Sequence, residues 1–472
     1  MKLKYIVFLC FSLLFVSCDK FLEEESQDLI VPKSVQDYRE LLFGEGYLRG
    51  TTPVNLYLDI MTDDVADLLK AWGFGGDMRL RGFGYYAWQP EPENQHDGVL
   101  FSDDAWDRYY HSILIANIIL NEVDGAKGSL AEKESIKGEA YFIRAYSYFM
   151  LVNLYAKPYN AQTASSDLGV PINLNHGAQD KVYVRETVQK VYNQITSDVN
   201  SSIALLDGNL TNKTFFRVNA TAARLLAARV HLFMKQYELA LKYAQDVIRD
   251  HPTLYDIRQL ANGEIFISFK NPEIIFSYGA YDSYNYYYSQ LAKGKFVASS
   301  EFLGLYQKAD LRKAVFFVAK LGKYYPFKSD EASSIGAYGK AFRSAEAYLI
   351  KAEALAETND YLGAIETLNY LRQYRFSAPS PLSASNRDEA IELVRRERRM
   401  EMSFEDLRWF DLRRWGQPSI THTFTDPTTK VVSTFKLEEG DAAYVLPIPQ
   451  KVMEGDPNLV NNQRPGRLPV TQ

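Results

Sequence analysis

The chain has 472 residues, of which 46% are hydrophobic and 24% charged, a composition typical of a globular protein with a sizeable core. Its formal net charge of −6 argues against a polyanionic partner such as a nucleic acid. Tyrosine is frequent, with 33 residues against 27 phenylalanines, and a side chain that combines a flat apolar face with a hydroxyl indicates carbohydrate or interface chemistry.

Residues 1–17 read as an export signal, because Lys2 and Lys4 precede an apolar run too short to span a bilayer comfortably. Cys18 follows directly and is the expected site of acylation, as in a bacterial lipoprotein; the alternative is an ordinary signal peptide that ends near a chance cysteine. The only other cysteine, Cys10, lies inside the signal, so we expect no disulfide in the mature fold.

Two segments lead into the main fold. Residues 18–50 form a tether with a short helix that Ser34 opens and that runs through Leu42. Residues 51–103 mix glycines with large aromatic side chains, a pattern that favours shaped loops over regular elements. We therefore treat the second segment as a candidate ligand-binding insertion.

Helical patterns occupy residues 104–250 and 341–416. Helices are predicted from Asp104, over residues 136–155 and over residues 186–206. An internal repeat adds helical hairpins whose small side chains let two helices approach closely. Ala223, Leu225, Ala228, Tyr237 and Ala240 recur as Ala347, Leu349, Ala352, Tyr361 and Ala364, and Ala140, Phe142 and Ala145 form a partial third copy.

Residues 251–340 form a second insertion, in which strand-like runs at residues 264–269, 273–278 and 324–327 flank a tyrosine-rich segment, residues 281–290.

A charged segment, residues 389–416, is predicted to be helical and to have a structural role. Asn386 is its expected N-cap, and Gly416 is expected to end it. Its arginines and acids alternate at helical spacing, which predicts a lattice of local ion pairs and not a nucleic-acid patch. The predicted pairs are Glu392 with Arg395 and Arg396, and Asp411 with Arg408 and Arg414. After it, residues 417–472 are expected to form an extended strap, in which Pro447 and Pro449 exclude helix.

Signatures of catalysis are weak. The six histidines have no metal-ligand spacing, and no phosphate-binding loop, dinucleotide fingerprint or nucleophile elbow is present. Acidic pairs such as Asp63 with Asp64 or Asp103 with Asp104 could be glycosidase carboxylates, but adjacent acids are common by chance in a chain with 59 of them. We therefore predict no catalytic residue, no metal and no cofactor.

The loops offer a better candidate site. A sugar stacks its C–H face on an aromatic ring while its hydroxyls need polar partners. Trp88 and Trp106 lie in regular patterns and are expected to be structural. The predicted ligand-binding residues are Trp72, Arg81, Tyr85, Tyr284, Asn285, Tyr286 and Tyr288.

Several ordered motifs together resemble one family. They are Cys18 followed by acids, residues 106–120, residues 136–155, Gly169-Val170-Pro171, residues 271–277, Asp310-Leu311-Arg312, residues 342–355, residues 364–375, residues 397–416 and residues 446–450. On these motifs the chain is identified as a member of the SusD/RagB family of nutrient-binding outer-membrane lipoproteins. One departure is Glu405-Asp406, where the family commonly has Glu-Gly; Asp tolerates a left-handed backbone, so the break is expected to persist.

The resemblance implies a mainly α, tetratricopeptide-like helical hairpin scaffold with long loop insertions and a few short strands, in a single domain over residues 51–472. It also implies a noncatalytic, surface-exposed protein, lipid-anchored in the outer membrane, that captures a glycan for a SusC-like TonB-dependent transporter. Two alternatives stay open: a surface glycoside hydrolase or lyase, and a peptide-binding lid of the same family. The family's ligand residues have no motif, so the site above rests on chemistry alone.

Overall fold

The computed structural model describes residues 32–48, 54–70, 75–100, 104–177, 183–209, 214–261, 264–278, 292–329, 340–456 and 458–470. Helices dominate these residues, so the predicted mainly α fold is confirmed. In chain order they are α1 (Val35–Leu41), α2 (Arg79–Tyr86), α3 (Ala105–Glu122), α4 (Leu130–Tyr155), α5 (Val188–Leu206), α6 (Ala220–Phe233), α7 (Tyr237–Asp250), α8 (Ser300–Leu303), α9 (Arg312–Phe316), α10 (Ser344–Glu357), α11 (Tyr361–Arg372), α12 (Arg387–Glu401), α13 (Arg408–Arg414) and α14 (Gln450–Gly455).

The strands are short and pair in small sheets. They are β1 (Val65–Leu69), β2 (Gly75–Asp77), β3 (Ile274–Tyr278), β4 (Ala292–Ala298), β5 (Phe317–Lys320), β6 (Lys323–Pro326), β7 (Lys340–Arg343), β8 (Ile420–Thr425) and β9 (Val432–Leu437). One sheet has three strands in the order β1-β4-β2, whereas β3 pairs with β7, β5 with β6 and β8 with β9. The helices therefore build most of the core.

Reciprocal serine capping boxes fix the starts of α1 and α4. Ser34 accepts the backbone N–H of Asp37, whose carboxylate accepts the N–H of Ser34 in return. Ser129 and Glu132 form the same reciprocal pair before α4. This capping box satisfies the first N–H groups of α4, which is why the helix begins at Leu130 and not at the predicted residue 136.

The repeated hairpins are confirmed. Helix α6 packs on α7 and α10 packs on α11, and α7 also contacts α10, so the two hairpins stack. The shared alanines are fully buried at these contacts, where any larger side chain would separate the helices. They are Ala223, Ala228, Ala240, Ala347, Ala352 and Ala364.

The charged segment begins and ends as predicted. Asn386 accepts the N–H of Glu389 at the start of α12, and Gly416 has φ of +99° just after α13. Between the two helices the backbone is left-handed at Phe404 and Asp406, with φ of 58° and 62°. The predicted break at Glu405-Asp406 is therefore confirmed, and it divides the segment into two helices.

The predicted partners of its charges are mostly wrong. Asp411 does bind Arg414, but Arg408 binds Asp63, and Arg395 lies 3.7 Å from Glu357 on α10. Among the described residues, no ion pair joins Glu392 to either predicted arginine. The reason is tertiary: α12 and α13 are packed inside the fold, so most of their charges meet other elements and not their own helix.

Buried charges also join α12 to α9, to β7 and to residues just before β3 and just after α11. Glu401 is fully buried, and its carboxylate accepts hydrogen bonds from Arg312, Arg343 and Arg375, which are also fully buried. Glu273 completes the group, since its carboxylate binds both Arg343 and Arg375. We call these five residues the ionic core.

Three local predictions fail for local reasons. Residues 79–86 form α2 and not a loop, because a glycine at position 84 lets the helix approach the carbonyl groups of Pro92 and Asn94. Residues 264–269 form no strand beyond the single bridge of Ile267 to Ser329. Pro449 precedes α14 instead of excluding helix, since a proline at a helix start has no N–H to leave unpaired.

Within the described ranges, no helix combines the length and the apolar character needed to cross a bilayer.

Candidate functional site

The three-stranded sheet gives the candidate site its geometry. Strand β1 runs antiparallel to β4, with Leu69 opposite Gly294, and β2 runs parallel to β4, with Gly75 opposite Ala292. The end of β1 and the starts of β2 and β4 therefore lie at the same edge of the sheet. We call this edge the sheet edge.

Both predicted aromatic segments connect to the sheet edge. Residues 71–74, which include Trp72, join the end of β1 to the start of β2, and residues 279–291 lead into β4. Trp72 and the group Tyr284, Asn285, Tyr286 and Tyr288 lie outside the described residues, as does Cys18. What the structure shows is that the strand ends flanking the two segments meet, although they are more than two hundred residues apart in sequence.

The two remaining candidates lie on α2. Arg81 is exposed. Tyr85 is only 1% exposed and stacks on Tyr57, with ring centroids 4.1 Å apart and planes at 1°. Tyr85 is thus part of the core. Contrary to the prediction, its ring face is not accessible to a ligand.

An ion-pair cluster holds the start of α2 against the sheet. The fully buried guanidinium of Arg79 binds Asp67 on β1 and, at 2.6 Å, Asp77 on β2. It also donates to the carbonyl oxygen of Thr425 at 3.1 Å, which links the sheet to β8. A side chain at Gly294 would collide with the Asp77 carboxylate, so this position needs glycine.

Two lysines, the fully buried Lys295 and the half-buried Lys70, lie next to each other on the sheet. Lys295 on β4 lies opposite Leu68 on β1, so the two side chains point to the same face of the sheet. Lys70 comes two residues after Leu68, and alternation along the strand places it on that face as well. The ammonium group of Lys295 lies 4.8 Å from the ring centroid of Tyr325. Burial, a hydrogen bond to Lys70 and the charges of Lys70 and Lys320 lower the pKa of Lys295 to about 7.

Beneath the sheet lies an aromatic cluster that sequence patterns did not reveal. His422 on β8 stacks on both Tyr86 and Trp88, with centroids 4.1 and 4.3 Å away. Its two ring nitrogens contact the carbonyl oxygens of Tyr86 and Thr62. Trp88 is fully buried and Trp106 is 6% exposed, which confirms that both are structural.

The acidic pair Asp63 and Asp64 forms ion pairs and does not face an open cleft. Arg399 contacts Asp64 at 2.7 Å, and Arg408 contacts Asp63 at 2.8 Å. Burial raises the pKa of Asp64, whereas Arg408 and Arg399 outweigh burial and lower that of Asp63. Asp103 lies outside the described residues. Across the ranges that the structure describes, no group of three or more metal-ligating side chains is suitably arranged.

Comparisons with known proteins agree with this architecture. A family model described as starch-binding and associating with the outer membrane matches residues 85–232, and a model of the SusD family matches residues 279–466. SusD-like protein P25 of Formosa agariphila is 22% identical over 97% of each chain, and P2 of the same organism is 24% identical over 76% of this chain and 79% of P2.

Solved structures share the fold. A protein from Bacteroides vulgatus described as sugar binding is 24% identical and covers 92% of this chain and 99% of its own, with a TM-score of 0.74. A SusD superfamily protein from Bacteroides thetaiotaomicron is 23% identical over 91% of this chain and 100% of its own, with a TM-score of 0.71. At these identities the likeness concerns the fold alone.

Proposed function

The chain belongs to the SusD/RagB family, and on that premise we propose that it is a noncatalytic protein that binds an oligo- or polysaccharide at the sheet edge. The observation that supports the proposal is that the strand ends flanking both aromatic segments meet at one edge of one sheet. The family description as starch-binding supports the ligand class.

The residues fit the chemistry of sugar recognition. Trp72, Tyr284, Tyr286 and Tyr288 would offer flat apolar faces for the C–H groups of sugar rings. Asn285 and Arg81, with the half-buried Lys70, would supply hydrogen bonds to hydroxyl groups. The ion pairs of Arg79 tie β1 to β2, the strands that flank the segment with Trp72, so its ring would act from a rigid base.

Replacing Trp72 or Tyr286 with alanine is expected to weaken polysaccharide binding by about two- to tenfold each, since a stacking ring contributes about 0.5–1.5 kcal/mol. Affinity gel electrophoresis of the protein lacking residues 1–18, against a panel of polysaccharides, measures this loss. Tyr370→Ala is the matched control, because Tyr370 is an exposed ring on α11, away from the sheet.

The same incubations separate binding from catalysis. Retarded migration without release of reducing ends supports a noncatalytic role. Release of reducing ends would instead establish a glycoside hydrolase or lyase, and absence of retardation by every glycan would favour a peptide ligand.

We further propose that acylated Cys18 anchors the protein in the outer membrane, where it delivers its ligand to a SusC-like TonB-dependent transporter. Buried acyl chains contribute about 0.8 kcal/mol per methylene, enough for stable attachment when more than one chain is present. The family description as associating with the outer membrane supports this placement.

Cys18→Ala is expected to lose labelling by a fatty-acid analogue and to move from the membrane to the soluble fraction after cell lysis. Cys10→Ala, inside the signal, serves as the control and should leave both unchanged. A Cys18→Ala protein that still sediments with membranes would show that another feature provides the anchor.

A further inference from the structure

A large cleft lies apart from the sheet edge. Its volume is about 1140 Å³, and its walls come from the loop after α4, the turn between α6 and α7, the end of α13, and the stretches at residues 440–445 and 462–463. No residue of the three-stranded sheet or of α2 lines it. A cleft of this volume suits an oligomeric ligand of several small units better than a single small ion.

Two residues of the cleft have a left-handed backbone that their side chains do not favour. Lys235 has φ of 58° in the turn between α6 and α7, and Gln417 has φ of 55° after α13. The internal repeat provides a comparison, because the equivalent turn between α10 and α11 has Asn359, with φ of 71°. Asn tolerates this conformation better than Lys, so the chain accepts a cost of about 1 kcal/mol for a lysine at the cleft.

Most charges of the cleft are already neutralised. Lys157 pairs with Asp167 at 2.8 Å, and Asp441 pairs with Arg467 at 2.7 Å. Arg414 binds Glu353 and Asp411.

Two cations remain. Lys235 is exposed, and its side chain makes no hydrogen bond or ion pair with any residue that the structure describes. Arg413 is 3% exposed and donates to the carbonyl oxygens of Asn153 and Ala156, but its buried Nε has no partner among the described residues. Both line the cleft, which therefore carries uncompensated positive charge.

We propose that this cleft is a second saccharide-binding site, which takes an oligosaccharide that carries carboxylate groups, such as one built of uronic acids. The exposed ammonium group of Lys235 provides charge-assisted hydrogen bonds to a carboxylate, and the buried positive charge of Arg413 in the cleft wall attracts it. Gln162, Gln417 and Gln463 line the same cleft, and their amide groups can both donate to and accept from sugar hydroxyls. This site adds to the proposed function and does not depend on the sheet edge.

Lys235→Asn is the decisive variant, because it places in this turn the residue that the equivalent turn already has. It should keep or raise the melting temperature while removing the amine. Isothermal titration with tetragalacturonate as the probe is expected to show about tenfold weaker binding than the wild type, the equivalent of one charge-assisted hydrogen bond. Uncharged maltotetraose should bind the two proteins equally.

Lys308→Asn is the matched control, since it removes one positive charge from an exposed position outside the cleft and should leave affinity unchanged. Gln417→Gly is the second variant; it relieves the left-handed backbone and removes one amide, and it should also weaken binding. Equal affinities of the wild type and Lys235→Asn, or a wild type that does not bind tetragalacturonate, would overturn the proposal.

Trp72→Ala separates the two sites. If the cleft binds the probe, this variant should retain the affinity of the wild type for tetragalacturonate. If Trp72→Ala abolishes binding and Lys235→Asn does not, the probe binds at the sheet edge, so the second site is refuted while the proposed function stands. If Lys235→Asn alone weakens binding, the cleft is supported whatever happens at the sheet edge.

Discussion

Glu401→Gln is expected to lower the free energy of unfolding by about 3–5 kcal/mol, because it removes the negative charge that three buried arginines share. The Glu401 carboxylate accepts from Arg375 at 2.9 and 3.0 Å, from Arg343 at 2.7 Å and from Arg312 at 3.2 Å. A neutral amide would satisfy fewer of these donors and would leave excess positive charge in the ionic core. Urea unfolding of the protein lacking residues 1–18, followed by circular dichroism, measures the change.

The matched control lies on the same helix. Glu392→Gln replaces an exposed glutamate of α12 and should change stability by no more than about 0.5 kcal/mol. If the two variants unfolded at the same urea concentration, the ionic core would contribute nothing beyond an ordinary surface charge.

The ionic core also makes the free energy of unfolding depend on pH in the acid range. Burial raises the pKa of Glu401, but the charges of Arg375, Arg343 and Arg312 outweigh burial and hold it well below its usual value of 4.5. A carboxyl whose pKa is lower in the folded state contributes stability above its unfolded pKa and loses it as the pH falls below that value. We therefore expect the stability of the wild type to fall below about pH 4.5, and that of Glu401→Gln to fall less steeply.

Local signals in the sequence predicted local structure well. The serine at position 34, Asn386 and Gly416 each act through neighbours within a few residues, and the structure confirms all three. The alanine repeat was equally informative, because close helix contacts demand small side chains at fixed spacing.

Features that depend on distant partners were not predictable in this way. Helical spacing assigned Arg408 to Asp411, but folding brings Asp63 to it from 345 residues away. In the sequence, Tyr85 lies among glycines and aromatic residues, as a residue of an exposed loop would. Its burial comes from tertiary packing, in which its ring stacks on that of Tyr57. The sheet edge likewise depends on the register of β1 with β4, which no local pattern encodes.

Arg185 joins the C-terminal segment, residues 458–470, to the loop that follows α4. It is 9% exposed, and its guanidinium donates only to neutral oxygen atoms. The acceptors are the carbonyl oxygens of Gly169, Tyr155, Leu168 and Val460 and the side chain of Asn462, at 2.7–3.1 Å. Burial of this charge lowers the pKa of Arg185 to about 10, which leaves it protonated at neutral pH.

Arg185→Met is therefore expected to lower the free energy of unfolding by about 3 kcal/mol, because hydrogen bonds to a charged donor contribute about 1.5–3 kcal/mol and several buried acceptors lose their partner at once. Residues 458–470 should become sensitive to limited proteolysis, which mass spectrometry of the products detects. Arg396→Met, on the exposed face of α12, is the control and should leave both measurements unchanged. The stability of Arg185→Lys should lie between those of the wild type and Arg185→Met, since an ammonium group cannot reach acceptors on both sides as the planar guanidinium does. If Arg185→Met protected the C-terminal segment as well as the wild type does, the packing of Leu459 and its neighbours would be what holds that segment in place.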